Sequence, residues 1–507
     1  GAISSSGSVT VTDSTFTNIT GDSGGAIYSW SSSVTVTDST FTNITGYEGG
    51  AIYSSGGSLT VSNSSFINTT SEYAGGAIYS ENVNVIGSSF INTKVTSDAG
   101  GAIYTYGNVI VIDSTFTNIT GYDGGAIYKG YGGNLTVINS TFINTSAVGS
   151  NVDGGAICNS YGGYVNVLNS TFINTTATRN GGAISSSGSV TGSNATFTNT
   201  ASEYDGGAIY TSNGGSVTVS NSTFTKTASR NNGYGGAIYS NNGNVTVAGS
   251  TFNDTTAEYG GAIYGSYGNI TVSNSTFTNT TADYGGAIYG SVVIVSNSTF
   301  TNTTAEDGGA ICGSVVIVSN SSFIDTTASD YGGAIDSGDR VNVTNSIFIN
   351  NAAEFGSAIW IRGNLNLVNS RFIENNITGK EIIYVTKGNV TLNNNTITTN
   401  TIPIYNDNPY GNPFAIFTSP VYLTFDNITV EEGENAKLTA VLTDDNGNII
   451  GSKANITGKV GDADVTFVFN ETTKKFTANY AQTQIGGEYP ITGNYTNATN
   501  CIVTDGI

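Results

Sequence analysis

Ser8-Val9-Thr10-Val11-Thr12-Asp13-Ser14-Thr15-Phe16-Thr17-Asn18 runs on into Gly24-Gly25-Ala26-Ile27-Tyr28, and this text returns about every 25 residues. The Gly-Gly-Ala-Ile element recurs at Gly49-Gly50-Ala51-Ile52 and Gly75-Gly76-Ala77-Ile78. It continues through Gly332-Gly333-Ala334-Ile335 and decays at Gly356-Ser357-Ala358-Ile359. A fixed period of this size marks a solenoid, in which each repeat buries its apolar face only against its neighbours.

One repeat specifies three short strands. Val9 and Val11 alternate with Thr10 and Thr12, the period-two signature of a strand with one apolar face. Phe16 and Asn18 alternate with Thr15 and Thr17, and Ala26-Ile27-Tyr28 makes a third strand. No stretch has helical periodicity. Three residues before each Phe stand only Asp, Asn or Gly, as at Asp13, Asn63 and Gly87. These residues tolerate a positive φ, so a left-handed backbone corner is expected there. Stacking in register would align Phe16, Phe41, Phe66 and their successors through Phe372 into one ladder, and Asn18, Asn43 and Asn68 into another that hydrogen-bonds from turn to turn. Lys226, Asp254 and Glu374 interrupt the Asn row, so it must lie at a corner open to solvent. The expected fold is all-β: a right-handed parallel β-helix of about sixteen rungs, like the pectate-lyase solenoid.

The solenoid is expected over residues 1–402. Pro403, Pro409, Pro413 and Pro420 cluster where the repeat has gone, so 403–419 reads as a linker. Residues 420–507 carry alternating runs such as Val421-Tyr422-Leu423-Thr424-Phe425 and Val465-Thr466-Phe467-Val468-Phe469. Several strands at this spacing predict an Ig-like β-sandwich, without the Cys…Trp…Cys hallmark of antibody domains. The sequence opens inside a repeat at Gly1-Ala2-Ile3, so further repeats or a cap are expected before it. A signal peptide or membrane span would lie outside it too.

The formal net charge is −21 with only 15 Lys and Arg, which makes nucleic acid a poor partner. Histidine is absent, and with it the commonest general base and metal ligand. Cys158 and Cys312 occupy the same slot six rungs apart, roughly 29 Å. A disulfide spans about 4.4–6.8 Å between Cα atoms, so these two cannot pair. Asn-X-Ser/Thr sequons are abundant, many of them set by the corner and ladder positions. An exposed subset is expected to carry glycans, with Asn427, Asn455, Asn470 and Asn494 outside the repeats and Asn134 and Asn274 within them as candidates.

The Gly-Gly-Ala-Ile element with a Phe-Thr-Asn element resembles the repeats of chlamydial polymorphic outer-membrane proteins. The acidic, Asn/Ser/Thr-rich version with a following Ig-like domain looks most like the adhesin-like surface proteins of methanogenic archaea. The resemblance covers roughly residues 1–400 and 418–507. It implies an extracellular protein that presents a rod, tied to the cell through Ig-like spacers. It names no ligand.

Parallel β-helices also host polysaccharide lyases and hydrolases. Lyases of this fold need a basic group beside a calcium carboxylate cluster, and hydrolases need paired carboxylates roughly 5–10 Å apart. Acids and bases are spread evenly over the repeats, and only 129–133, 146–153 and 229–234 are modestly expanded. No enzymatic activity is therefore expected. What does recur is Tyr directly after Ile: Tyr28, Tyr53, Tyr79, Tyr104, Tyr128, Tyr210, Tyr239, Tyr264 and Tyr289. Just before Gly-Gly stand Glu48, Asp98, Asp123, Asp153, Asp205, Asp283 and Asp307. If Ile27 points inward, alternation puts Tyr28 outside. Two readings stand open. The stripe could stack on sugars, edged by carboxylates that bind calcium weakly because stacked charges repel; or it could be a tyrosine ladder covering the Gly-rich strand beside a solvated turn. The expected function is a cell-surface or cell-envelope adhesin-like protein that attaches to glycans, other cells or surfaces, with possible calcium and no other cofactor. The alternative is a structural envelope or filament component that self-associates and has no ligand of its own.

Overall fold

A computed structural model describes residues 1–377, 381–398, 402–406, 421–431, 433–444, 454–481, 490–497 and 503–504. Among them there are strands and no helix. The chain divides into two compact units, Gly1–Ser314 and Val315–Ile507. Between them the units hold about sixteen parallel solenoid turns, as the period requires.

In the first unit successive turns pair in parallel, residue on equivalent residue. Val9 lies on Val34, Phe16 on Phe41 and Ile27 on Ile52. Each turn has the three expected strands, but the first and third share one sheet. In some turns the two fuse into a single long strand, as in Ile52–Ser62, Ile78–Ile86 and Ile263–Ser273. The Phe strand forms the second sheet, joined in many turns by a further short strand after the next corner, such as Thr70–Ala74 and Thr176–Ala177. Alternation sets the faces: Val34–Thr37 reads buried, exposed, buried, half-buried.

The corner before each Phe is left-handed as expected, with φ of 49° at Asp13, 47° at Asn63 and 59° at Gly87. Its backbone has left the sheet, and a buried serine next to it satisfies the N–H groups. Ser64 Oγ donates to Ser62 O (2.7 Å) and accepts the N–H of Ser39 in the preceding turn (3.1 Å). The same device recurs at Ser88 and Ser114, so no buried donor there is orphaned. A second left-handed corner follows the Phe strand, at Asn18 (φ 56°), Asn43 (55°) and Asn68 (53°). This corner carries the Asn ladder. Asn43 Nδ2 donates to Asn18 Oδ1, Asn68 to Asn43 and Asn92 to Asn68, all at 3.0–3.1 Å and exposed. Lys226 and Asp254 keep the left-handed backbone (φ 54° each), and the ladder resumes when Asn279 donates to Asp254 Oδ1 at 3.0 Å.

The two glycines have different reasons. Gly75 has φ 66°, which an L side chain resists. Gly76 does not, but a Cβ there would lie 2.0 Å from Gly101 O and 2.6 Å from Lys94 O, because the turns touch backbone to backbone.

The interior is a stack of identical layers. Phe41, Phe66, Phe90, Phe116 and Phe142 are fully buried, with centroids 4.7–4.8 Å apart and planes within 4°. Three residues after each Phe is an inward ladder that the sequence reading missed. The half-buried Ile19 begins it, and Ile44, Thr69, Thr93, Ile119, Thr145, Thr175, Thr200, Thr227, Thr255, Thr280 and Thr303 continue it, these eleven each 0% exposed. The Oγ1 atoms of these threonines find no hydrogen-bond partner among the described residues. A buried hydroxyl left unpaired costs about 1–3 kcal/mol, so Thr255→Val, which keeps the shape and removes the hydroxyl, should stabilise the unit by about 1 kcal/mol. A denaturation midpoint equal to or below that of the parent would contradict this.

In the second unit Phe323, Phe348 and Phe372 pair residue on equivalent residue, with ring centroids 4.6–4.8 Å apart. Ile397 follows Phe372 in the last turn. Ile402–Asn406 pairs in parallel with Glu381–Val385, so solenoid pairing runs four residues into the expected linker; 407–420 lie outside the described residues. Val503–Thr504 pairs in parallel with Ile397 and Thr398, and the other remaining strands are antiparallel. Val421–Phe425, Ala436–Asp444, Lys475–Tyr480, Ala463–Asn470, Ala454–Val460 and Ile491–Asn497 pair in that order. The first and last of them approach each other, so the described strands make a nearly closed antiparallel sheet and do not by themselves show the Ig-like sandwich. Leu438, Ala440, Ile456, Phe467 and Phe476 fill its interior.

Candidate ligand-binding face

The strand after each Gly-Gly places Ile inside and Tyr on the outer surface, at a turn spacing that leaves no room between rings. Tyr28, Tyr53, Tyr79, Tyr104 and Tyr128 therefore form one stack, with centroids 4.9–5.2 Å apart. Tyr210, Tyr239, Tyr264 and Tyr289 form a second, at 5.1–5.3 Å. Cys158 and Ser185 separate the two runs, both buried. The alternation argument put these rings outside. In the structure Tyr79 and Tyr239 are buried and the others are half-buried, with ring faces turned to one another and not to solvent. Burial pushes the phenols up, to about 12 at Tyr128, Tyr210 and Tyr264 and higher at Tyr79, Tyr104 and Tyr239. A stack of this kind offers edges and hydroxyls, whereas a sugar needs a free ring face.

The seven acids do not share one position. Asp123, Asp153 and Asp205 stand directly before Gly-Gly and, with Asn180, form a ladder to the backbone. Asp123 Oδ1 accepts Asp153 N–H (2.7 Å), Asp153 Oδ1 accepts Asn180 N–H (3.0 Å), and Asn180 Oδ1 accepts Asp205 N–H (3.1 Å). Asp205 Oδ1 closes it on Tyr234 N–H at 3.2 Å. Arg179 adds an ion pair to both oxygens of Asp153. Burial raises the Asp123 carboxyl and lifts that of Asp205 to about 6. Glu48 and Asp98 are also raised by burial, with hydrogen bonds from Ser23 and Tyr73 opposing it. Asp98 and Asp283 sit one residue earlier in their turns, and the backbone carbonyl of Asp283 accepts the N–H of Asp307. Among the described residues no three His, Cys, Asp or Glu side chains gather as metal ligands. Cys158 is a buried free thiol and so does not pair with Cys312, and Cys501 lies outside the described residues.

Exposed aromatic rings lie before Gly-Gly, at Tyr47, Tyr73 and Tyr204, and, more exposed, on the loops beyond the Tyr strands. Tyr131 is 60% exposed, Tyr161 59% and Tyr164 50%. Tyr131 and Tyr161 stack at 5.2 Å, and Tyr106 joins them to the ladder, 5.8 Å from Tyr131 and edge-on to Tyr104. Beneath them is Lys129, whose side chain is completely buried. Its Nζ donates to Tyr131 O at 2.8 Å and Gly162 O at 3.4 Å. Burial lowers the amine to about 8. The sequence reading noted the expansion at 129–133 but gave these residues no role. The signal was there, since the alternation that puts Ile127 inside also puts Lys129 inside.

Residues 13–29 and 38–55 match the Chlamydia polymorphic membrane protein repeat. Two turns of the chain are similar to that repeat. Each match starts at the left-handed corner, takes in the Phe strand and ends in the Gly-Gly-Ala-Ile strand. The polymorphic-membrane-protein-like text is thus the part of the turn that fixes backbone geometry, and the loops bearing Tyr131 and Tyr161 lie outside it. No curated protein and no solved structure matches the chain.

The candidate glycosylation sites differ in access. Asn427 and Asn274 are exposed, the latter at a left-handed corner (φ 49°). Asn134 Oδ1 accepts the N–H of Tyr164 at 3.3 Å, and Asn470 Oδ1 accepts those of Thr472 and Thr473 at 3.0 Å. The side chains of Asn455 and Asn494 lie outside the described residues.

Proposed function

We propose that this chain is an extracellular, adhesin-like repeat protein of the cell surface that presents its solenoid for attachment to glycans, cells or surfaces and catalyses no reaction. The observation that carries the reading is the match of two turns to a repeat of chlamydial membrane proteins, on a parallel solenoid whose outer positions repeat turn after turn. A methanogen-type archaeal source, exposed asparagines bearing glycans, and an Ig-like spacer role for the antiparallel strands belong to the same proposal. The non-catalytic part is supported by what the acids do: Asp123, Asp153 and Asp205 hold backbone N–H groups of the next turn. Calcium has no required part in this reading.

Two measurements test it. Antibodies against residues 1–314 should label intact cells of the source organism, and proteinase treatment of those cells should remove the label. Beads coated with the protein should then adhere to cells or to polymer-coated surfaces above the level of albumin-coated beads. Label that appears only after lysis, or beads that adhere to nothing, would overturn the reading. Release of new reducing ends from a bound polysaccharide would overturn its non-enzymatic part.

A further inference from the structure

We propose that Tyr131, Tyr161 and Tyr164, on two adjoining loops of the first unit, form a platform for the sugar rings of a neutral polysaccharide, and that Lys129 is the positioning residue that holds those loops. The inference rests on the adhesin reading and gives it a place and a ligand class. These three rings differ from the long ladder in what they leave open. Tyr161 ends its stack, because the next turn brings Ser185-Ser186-Ser187-Gly188 with no ring. Its outer face and the half-exposed Tyr164 are therefore available to a flat apolar surface. A pyranose offers such a surface with hydroxyls around it, and a phenol meets both. The surroundings suit hydroxyls better than aliphatic groups: Asn134 lies beneath Tyr164 and Ser187 Oγ accepts the N–H of Gly162 at 2.8 Å. Charge decides between glycans. The net charge is −21, and the one cation of the platform turns inward onto two carbonyls, so a polyanion finds repulsion and no partner.

The role of Lys129 follows from comparing turns. At the equivalent slot Thr211 Oγ1 donates to Gly215 O (2.7 Å), and Ser240 Oγ lies within hydrogen-bond distance of Gly243 O in its own loop (3.0 Å) and of Gly215 O in the preceding one (3.1 Å), so this slot ties down loop carbonyls. Lys129 does this at Tyr131 O and reaches onward to Gly162 O in the next turn. It joins the loops of two successive turns, and those are the loops that carry the exposed rings.

The test is affinity electrophoresis of the whole protein through gels containing soluble β-glucan, mannan or galactan, with polygalacturonate as the anionic counter-probe. The parent should be retarded by at least one neutral polymer and not by polygalacturonate. Tyr161→Ala should weaken that binding about tenfold or more, and the Tyr131→Ala, Tyr161→Ala, Tyr164→Ala combination should abolish it. Tyr267→Ala, at an exposed ring on a separate turn, should change nothing. Lys129→Met should weaken binding severalfold while the melting temperature stays the same or rises, a split that a purely structural lysine would not give. No retardation by any neutral polymer, or retardation that survives the triple variant, overturns the platform. Unchanged binding by Lys129→Met overturns the positioning role. If parent and triple-variant beads adhere to cells equally, the platform falls and the adhesin reading stands. If polymer binding holds but parent beads adhere to nothing, the adhesin reading falls alone.

Discussion

Gly76→Ala is expected to destabilise the first unit by more than about 3 kcal/mol, toward the upper end of what one substitution does. The added Cβ would sit 2.0 Å from Gly101 O and 2.6 Å from Lys94 O. Both are backbone atoms of a neighbouring turn, so no side chain can swing away. The turns on either side must separate, and in a solenoid each turn is stable only through such neighbours. The unit should therefore lose cooperativity at that point, with the turns before Gly76 exchanging amide hydrogens and being cut by protease under conditions where those after Gly101 are protected. Gly75→Ala adds a torsional cost, since that residue has φ 66°. Gly132→Ala is the control, because nothing lies within 4 Å of its added carbon, and it should shift stability by less than about 0.5 kcal/mol. The chain contains its own version of the experiment. Where the following turn no longer carries Gly-Gly, serine occupies the second slot as Ser357. A Gly76→Ala protein that melts and exchanges like its parent would show that the turns have slack that this geometry denies.

The second large effect is on the pH dependence. The phenols of Tyr53, Tyr79, Tyr104, Tyr128, Tyr210, Tyr239 and Tyr264 have folded values above their ordinary 10, reaching about 12 at Tyr128, Tyr210 and Tyr264. Between those values the folded chain holds protons that the unfolded chain has released. Their contribution is complete below pH 10 and is lost as pH rises through 12. The carboxyl of Asp205 is raised from 3.8 to about 6, and those of Glu48, Asp98 and Asp123 are raised too. The folded state again binds the extra protons, so these groups contribute more as pH falls from 6 toward 4, which also relieves the net charge of −21. The protein should be more stable at pH 5 than at pH 8 and should unfold steeply above pH 11. Ultraviolet titration of the phenols should show a group of tyrosines that ionises only with unfolding. If all phenols titrate together near 10 in the folded protein, the rings are not packed as described.

How much of this was legible depends on whether a feature repeats. The corner before Phe could be read because Asp, Asn and Gly alone fill it. The corner after Phe has the same φ but tolerates Lys226, Asp254 and Glu374, so composition put it within reach of solvent without revealing its left-handed backbone. Period-two alternation told which side Tyr28 takes but not how its ring lies, which the spacing between turns decides. Tyr131, Tyr161 and Tyr164 sit in loops without a period, and they come together only once turns are laid side by side. Lys129 obeyed the alternation and was overlooked because a charged residue inside a core runs against expectation. Past the solenoid, alternation found the strands Val421–Phe425 and Ala463–Asn470, but it carries no information about pairing partners. The two-sheet sandwich was inferred from spacing alone, and the described strands show a nearly closed antiparallel sheet.

The in-register pairing has a mechanical meaning. In Gly1–Ser314 the hydrogen bonds between turns point along the stacking direction, as from Ala77 N to Ala102 O and from Ala102 N to Ala126 O. A pull along that direction loads successive turns in series, so the weakest interface bears the full force and opens first. Each turn that peels away would release about 80 Å of extended chain, dissipating work in small steps before the next interface is reached. Ladders of Phe, Ser and Asn that look redundant at rest then act as a row of similar latches, a tether that lengthens under load before it lets go.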